Sequence, residues 1–190
     1  MSQIKTYILA DAKFFDSAAA KRENLSVAEY NDMIINKINN IVDDEDCLIL
    51  NGVITINLTL QENKELFSKI KGRKYIIDYD FQSIVFNADD WREMGFYKIF
   101  NTPGAQKSII NGEDSYVILA TDKQTILTDF QGKNKYIAVP GSIYDTGELY
   151  KNHILNISAN LWNYEPIEIG ERLPQIFDDQ ELFLRMEDSK

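Results

Sequence analysis

Lys5-Thr6-Tyr7-Ile8-Leu9-Ala10-Asp11-Ala12-Lys13 is the stretch that decides the fold. An unbroken apolar run of this length reads as a strand covered on both faces, as in the mostly parallel sheets of α/β proteins. Such sheets bind ligands outside the carboxyl ends of their strands, so Asp11 is the first candidate site residue.

Moving outward, Asp11 to Leu25 reads as a long loop, and Ser26-Val27-Ala28-Glu29 is a capping box that starts a helix. Val27, Tyr30, Ile34, Ile38 and Ile41 then recur at steps of three and four, which gives that helix one apolar face to lay on a sheet. Asp43-Asp44-Glu45-Asp46 closes it as a solvated turn. Cys47 to Leu50 is a second strand, running into the turn pair Asn51-Gly52. Gln61 to Ile70 is a second helix with Leu66, Phe67 and Ile70 inward, and Gly72 is its expected stop. Lys74 to Ile77 is a third strand, which again delivers carboxylates, Asp78 and Asp80, to a strand end. The order βαβαβ predicts parallel pairing with right-handed crossovers.

Beyond a short helix around Asp89 to Met94, strand candidates follow at Tyr97–Phe100, Lys107–Ile110, Tyr116–Leu119, Gln124–Leu127, Tyr136–Val139 and Ile154–Ile157. Turn signals such as Asn111-Gly112 and Gln131-Gly132 join several of them, which predicts a second, mixed or antiparallel sheet packed on the first. From Glu165 onward there are eight acidic and three basic residues, read as a surface helix in an acidic tail over about residues 170–190.

The 190 residues, 44% hydrophobic, suffice for one substantial core, so one domain spanning 1–190 is expected. The net charge of -10 disfavours nucleic acid and anionic membrane, because binding to phosphates rests on cationic side chains. It suits a protein partner of basic character. The single Cys47 lies within an apolar run and reads as a small buried hydrophobe in a reducing, cytoplasmic setting. The first residues carry neither a basic n-region nor a long apolar segment, so no secretory signal is expected, and no run reaches the length of a membrane span.

Several segments resemble, in order and spacing, the small bacterial and phage members of the calcineurin-like metallophosphoesterase family. They are Asp11 at a strand end, Lys21 to Glu29 before a helix, Leu50-Asn51-Gly52, and Lys71 to Asp80. The closing stretch from Leu155 to Ile167, with Trp162-Asn163-Tyr164-Glu165-Pro166, is similar to the family's ending. The resemblance runs from about Thr6 to Ile169 and implies a two-sheet α/β sandwich flanked by helices, with the site at the strand ends. It also implies two divalent metals about 3.5–4 Å apart that generate a hydroxide and clamp a phosphate oxygen.

At the matching positions the ligands of that chemistry are missing. The family's D-x-H stands as Asp11-Ala12-Lys13, and an ammonium cannot coordinate while protonated. The G-D pair stands as Asn51-Gly52, without the bridging carboxylate. The G-N-H-D motif stands as Ile77-Asp78-Tyr79-Asp80. The two late His motifs fall near Thr121 and near Gly141-Ser142, and neither holds a His; the one histidine, His153, lies outside all five. The vestigial site is thus Asp11, Lys13, Asn51, Asp78, Tyr79, Asp80, Thr121 and Ser142, with no catalytic residue, no cofactor and no metal assigned.

Two readings of Lys13 stay open: an internal counter-ion between Asp11 and Asp78, or a solvent-facing loop residue. The first has an energetic motive, since like charges about 4 Å apart repel by roughly 4 kcal/mol at an effective dielectric of about 20. Asp11 and Asp78 could also hold one weak Mg²⁺, with Asp80 or Asn51 completing an oxygen shell. Ser142, Cys47 and His153 read poorly as nucleophile or base. The expectation is a pseudoenzyme, cytoplasmic or, if phage-encoded, in the host cytoplasm or virion, acting as a protein-binding or assembly module. The alternative is a nucleotide- or phosphate-binding module, or a residual phosphoesterase, with Lys13 and Arg22 as the anion contacts.

Overall fold

A computed structural model describes residues 3–56, 58–77, 86–100, 104–110, 112–119, 135–141 and 153–179. In chain order the elements are β1 (Thr6–Ala10), α1 (Ser17–Arg22), α2 (Val27–Ile41), β2 (Cys47–Asn51), α3 (Leu60–Ser68), β3 (Arg73–Ile77), α4 (Ala88–Glu93) and β4 (Phe96–Phe100). There follow β5 (Gly104–Ile110), β6 (Glu113–Leu119), β7 (Lys135–Val139), β8 (Ile154–Asn156), a 3-10 helix at Ala159–Trp162 and β9 (Ile167–Glu168). Residues 172–179 are helical.

Two sheets form. The first has the order β4-β3-β2-β1-β9, parallel throughout except for the antiparallel β9. In the second, ordered β5-β6-β7-β8, only β5 and β6 are antiparallel. The alternation along β1 explains the layering. Tyr7 and Leu9 face a core built with α1 to α4, while Ile8 and Ala10 face a second core shared with the second sheet. The first sheet is therefore covered on both sides at β1, which is why that strand is apolar without interruption.

The capping box of α2 forms as the sequence predicts, with Ser26 Oγ accepting from the Glu29 amide and the Glu29 carboxylate accepting from the Ser26 amide. Tyr30, Ile34 and Ile38 on its predicted face are buried. Two further capping boxes, Thr59 with Glu62 and Asn87 with Asp90, start α3 and α4. Ile110 pairs with Glu113, and Gly112 just before Glu113 takes φ +76, a left-handed backbone suited to a tight hairpin turn.

Several expectations are corrected. The loop after Asp11 contains α1, whose amides at Ala18 and Ala19 are capped by the Asp16 carboxylate. Tyr97–Phe100 does not join the second sheet; as β4 it pairs parallel with β3 in the first, α4 supplying the crossover that a parallel pair needs. Gly72 does not stop α3, which ends at Ser68. Its φ of +83 serves the turn into β3, where a Cβ would stand 2.8 Å from Val42 Cγ1. Cys47 is only half-buried, its Sγ 3.8 Å from the Tyr75 hydroxyl.

Residues 172–179 form a helix where one was expected, exposed at Arg172, Gln175 and Asp179 and seated on the second core by the buried Leu173, Ile176 and Phe177. Gln124–Leu127, Gln131-Gly132 and the end of the acidic tail lie outside the described residues. Among the described residues no helix is long and apolar enough to cross a membrane.

Candidate functional site at the strand ends

The parallel ladder of β1 and β2 continues past both strands. Asp11 donates its amide to the Asn51 carbonyl at 3.0 Å, Lys13 to Val53 at 3.1 Å and Phe14 to Ile54 at 2.8 Å. Asp11 is thereby carried into the interior, 4% exposed, at φ +51. A carboxylate in such a place needs donors on both oxygens. Oδ1 accepts from the Val53 amide at 2.9 Å, and Oδ2 accepts from the Ser158 hydroxyl at 2.7 Å.

Ser158 sits two residues beyond β8, where its hydroxyl accepts from the Gly141 amide at 2.6 Å and its own amide donates to Asn156 Oδ1 at 2.9 Å. One hydroxyl thus ties the end of β1 to the residues following β7 and β8. The two glycines leave the room this requires. A Cβ on Gly52, at φ +69, would clash with Asp11 Oδ1 and stand 2.7 Å from Pro140 Cβ. A Cβ on Gly141 would stand 2.7 Å from both Asn156 Nδ2 and Ser158 Oγ. Asn51 is fully buried, with Oδ1 accepting from the Gly52 amide at 2.8 Å.

The loop that follows is anchored as firmly. Lys13 and Phe15 share the left-handed backbone of Asp11, at φ +51 and +64. Non-glycine residues hold such angles only where their surroundings fix them. Here the Tyr30 hydroxyl donates to the Ala12 carbonyl at 3.0 Å, and the Phe15 amide donates to Asn31 Oδ1 at 2.9 Å. The Tyr164 hydroxyl donates to Glu23 at 2.8 Å, with its ring edge-on to Tyr30 at 5.5 Å. Burial pushes both phenols up; for Tyr164, placed beside the Glu23 carboxylate, the rise is large.

Of the residues expected in the site, the structure brings together Asp11 and Asn51 and places Lys13 on the same loop. Lys13 is half-buried and forms no ion pair among the described residues, Asp11 included, while Asp11 accepts from an amide and a hydroxyl; the other carboxylate of the expected pair, Asp78, lies outside the described residues. Arg22 stands exposed in the last turn of α1. Asp78, Tyr79, Asp80, Thr121 and Ser142 lie outside the described residues.

His153, at φ +57, stacks on Tyr136 with centroids 4.7 Å apart, and the Trp162 indole donates to the Asn156 carbonyl at 2.9 Å. Lys74, whose ammonium donates to the carbonyls of Ile70 and Gly72, is pushed down by burial. No group of three or more His, Cys, Asp or Glu side chains able to hold a metal occurs among the described residues.

Sequence reasoning missed Ser158 and Asn156 as members of the site, and reached Gly141 only through the resemblance. The usable signal was the polar pair Asn156 and Ser158 set two apart in an otherwise apolar strand end, which points both side chains to one face.

No family model matches the chain, and no curated protein matches it. In fold it is similar to the crystal structure of AQ665, a protein of unknown function from Aquifex aeolicus. The TM-score is 0.58 at 14% identity, over 87% of this chain and 96% of that one. The likeness is one of fold: an α/β arrangement with two sheets and flanking helices.

Proposed function

We propose that the chain is a calcineurin-like metallophosphoesterase scaffold that no longer carries the reaction and serves as a protein-binding or assembly module. The observation behind this reading is the coordination of Asp11. The carboxylate that would be the first metal ligand in such a fold accepts from Val53 and Ser158, so protein donors occupy both of its oxygens. Asn51 stands where a bridging carboxylate would be needed, and Lys13 where an imidazole would be. A two-metal mechanism requires anionic and imidazole ligands at those points. The net charge of -10 favours a basic protein as the partner.

A phosphatase and phosphodiesterase panel with added Mn²⁺ tests the catalytic half of the proposal. No turnover above background is expected, and turnover abolished by Asp11→Ala would overturn it. The binding half is tested by affinity capture from the native host, with Lys13→Ala and the charge-removing set Glu181→Gln, Glu187→Gln and Asp188→Asn as controls. Loss of the partner with the set places the contact on the acidic end of the chain. Loss with Lys13→Ala places it at the strand ends, where the nucleotide- or phosphate-binding alternative would also sit, and competition by inorganic phosphate separates the two.

A further inference from the structure

β9 pairs with β1 only at Ile167 and Glu168. The Ile169 amide then donates to the Thr6 carbonyl at 2.9 Å, and the chain turns away through Gly170. Where it turns, a cavity of 380 Å³ opens beside the start of β1, lined among others by Lys5, Thr6, Gln106, Glu168, Gly170 and Glu171. Thr6 stands five residues before Asp11, so this cavity lies about 17 Å along the strand from the strand-end site.

Gly170 sits at the meeting of the two sheets. A Cβ there would stand 2.8 Å from Glu168 Oε1 and 4.0 Å from Gln106 Nε2, which places the Gln106 amide of β5 across the mouth from the end of β9. The Glu168 carboxylate is already answered by the protein. Oε1 accepts from the Gly170 amide at 2.8 Å, and Oε2 from the amides of Glu171 and Arg172 at 2.6 and 3.0 Å. The charges left to a ligand are one ammonium and one carboxylate, Lys5 and Glu171, both exposed and in no ion pair among the described residues. Ile4, 54% exposed, is the one large apolar side chain among the described residues of the lining.

A volume of this size holds a small molecule, and a mostly polar lining calls for a polar one. A phosphate or other anion would meet two carboxylates here, and a simple cation would meet the ammonium. A compact molecule carrying both charges meets neither conflict. We propose that this cavity binds a free α-amino acid with an aliphatic side chain. Lys5 and Gln106 hold the ligand carboxylate, Glu171 holds its ammonium, and Ile4 flanks its side chain. The site is separate from the strand ends and stands whether or not the function proposed above holds.

Isothermal titration of the full chain with L-alanine, L-valine, L-leucine and L-isoleucine tests it. Saturable heat is expected with at least one, and no heat with any of them up to about 10 mM would overturn the proposal. The carboxamide and the deaminated acid of the amino acid that binds should each bind about tenfold more weakly or worse, because each lacks one charged contact. Equal affinity for either would overturn the assignment of both charges. Lys5→Met and Glu171→Gln, both at exposed positions, should weaken binding by a similar factor, and unchanged affinity in both would overturn the site. In ¹⁵N spectra of the parent chain the Gly170 amide signal is expected to move on titration. Movement confined to Asp11 and Lys13 would assign the ligand to the strand ends and overturn the proposal.

Discussion

Ser158→Ala is the most direct probe of how the strand ends are held. The change removes a hydroxyl that donates to the Asp11 carboxylate at 2.7 Å and accepts from the Gly141 amide at 2.6 Å, within a buried setting. A hydrogen bond to a charged group contributes about 1.5–3 kcal/mol, and an amide left unpaired costs about 1–3 kcal/mol. The two losses share one atom and do not simply add, so the net destabilisation expected is about 3 kcal/mol. Against a typical total of about 5–15 kcal/mol that is a large fraction, and for a chain of this size it corresponds to a fall in Tm of roughly 6–12 °C.

Urea unfolding followed by circular dichroism measures it, with unchanged slope as the sign that the folded state keeps its shape. A loss under about 0.5 kcal/mol would refute the reasoning, because the hydroxyl would then be no more than a bystander. A second arm adds Mn²⁺ to the variant. Recovery of the midpoint would mean that Asp11, once released, takes a metal, which contradicts the role proposed for it; no recovery is expected.

Gly52→Ala should destabilise more than Ser158→Ala, since it forces a side chain into both a left-handed backbone and the space of Asp11 Oδ1; equal midpoints for parent and variant would contradict the close approach. Phe177→Ala removes a ring that is 1% exposed and should cost about 3–5 kcal/mol, whereas a surface tail would lose almost nothing; urea midpoints decide between them. Tyr164→Phe should flatten the alkaline limb of the stability curve. Burial holds Tyr30 and Tyr164 protonated in the folded state above the unfolded value of about 10, so their contribution is complete below about pH 10 and is lost as pH rises through the folded values. Unfolding midpoints from pH 8 to 11 check this, and an unchanged limb would show that Tyr164 is not responsible.

Much of the first sheet is legible in the sequence because its signals are local. The apolar run before Asp11 marks β1, and Ser26 with Glu29 fixes the start of α2 to the residue. The same capping signal at Thr59 and Glu62 was equally available for α3. What escapes local reading is which sheet a strand enters: Phe96 to Phe100 alternates no differently from a second-sheet strand, and its neighbour β3 lies some twenty residues earlier. At the acidic end the helix was legible but its seat on the second core was not, for a related reason. Its charges dominate the composition, while the three apolar side chains at 173, 176 and 177 that seat the helix are few and spaced as any amphipathic helix would be. At the site, Asp11 and Asn51 were visible as strand-end residues, but the donor that answers Asp11 was not, because it comes from Ser158, 147 positions away.

That separation has a kinetic consequence. Pairing of β1 with β2, β2 with β3 and β3 with β4 needs only the first hundred residues, and each step closes a modest loop. The bond from Ser158 to Asp11, like the pairing of β1 with β9, closes a loop spanning most of the chain. A nascent chain can therefore assemble its parallel half while Asp11 still waits for its second donor, and the strand ends are completed only when the last quarter of the polypeptide arrives. Refolding watched residue by residue should show the Val53 amide protected before that of Gly141, so that this corner of the protein reports the final step of its own assembly.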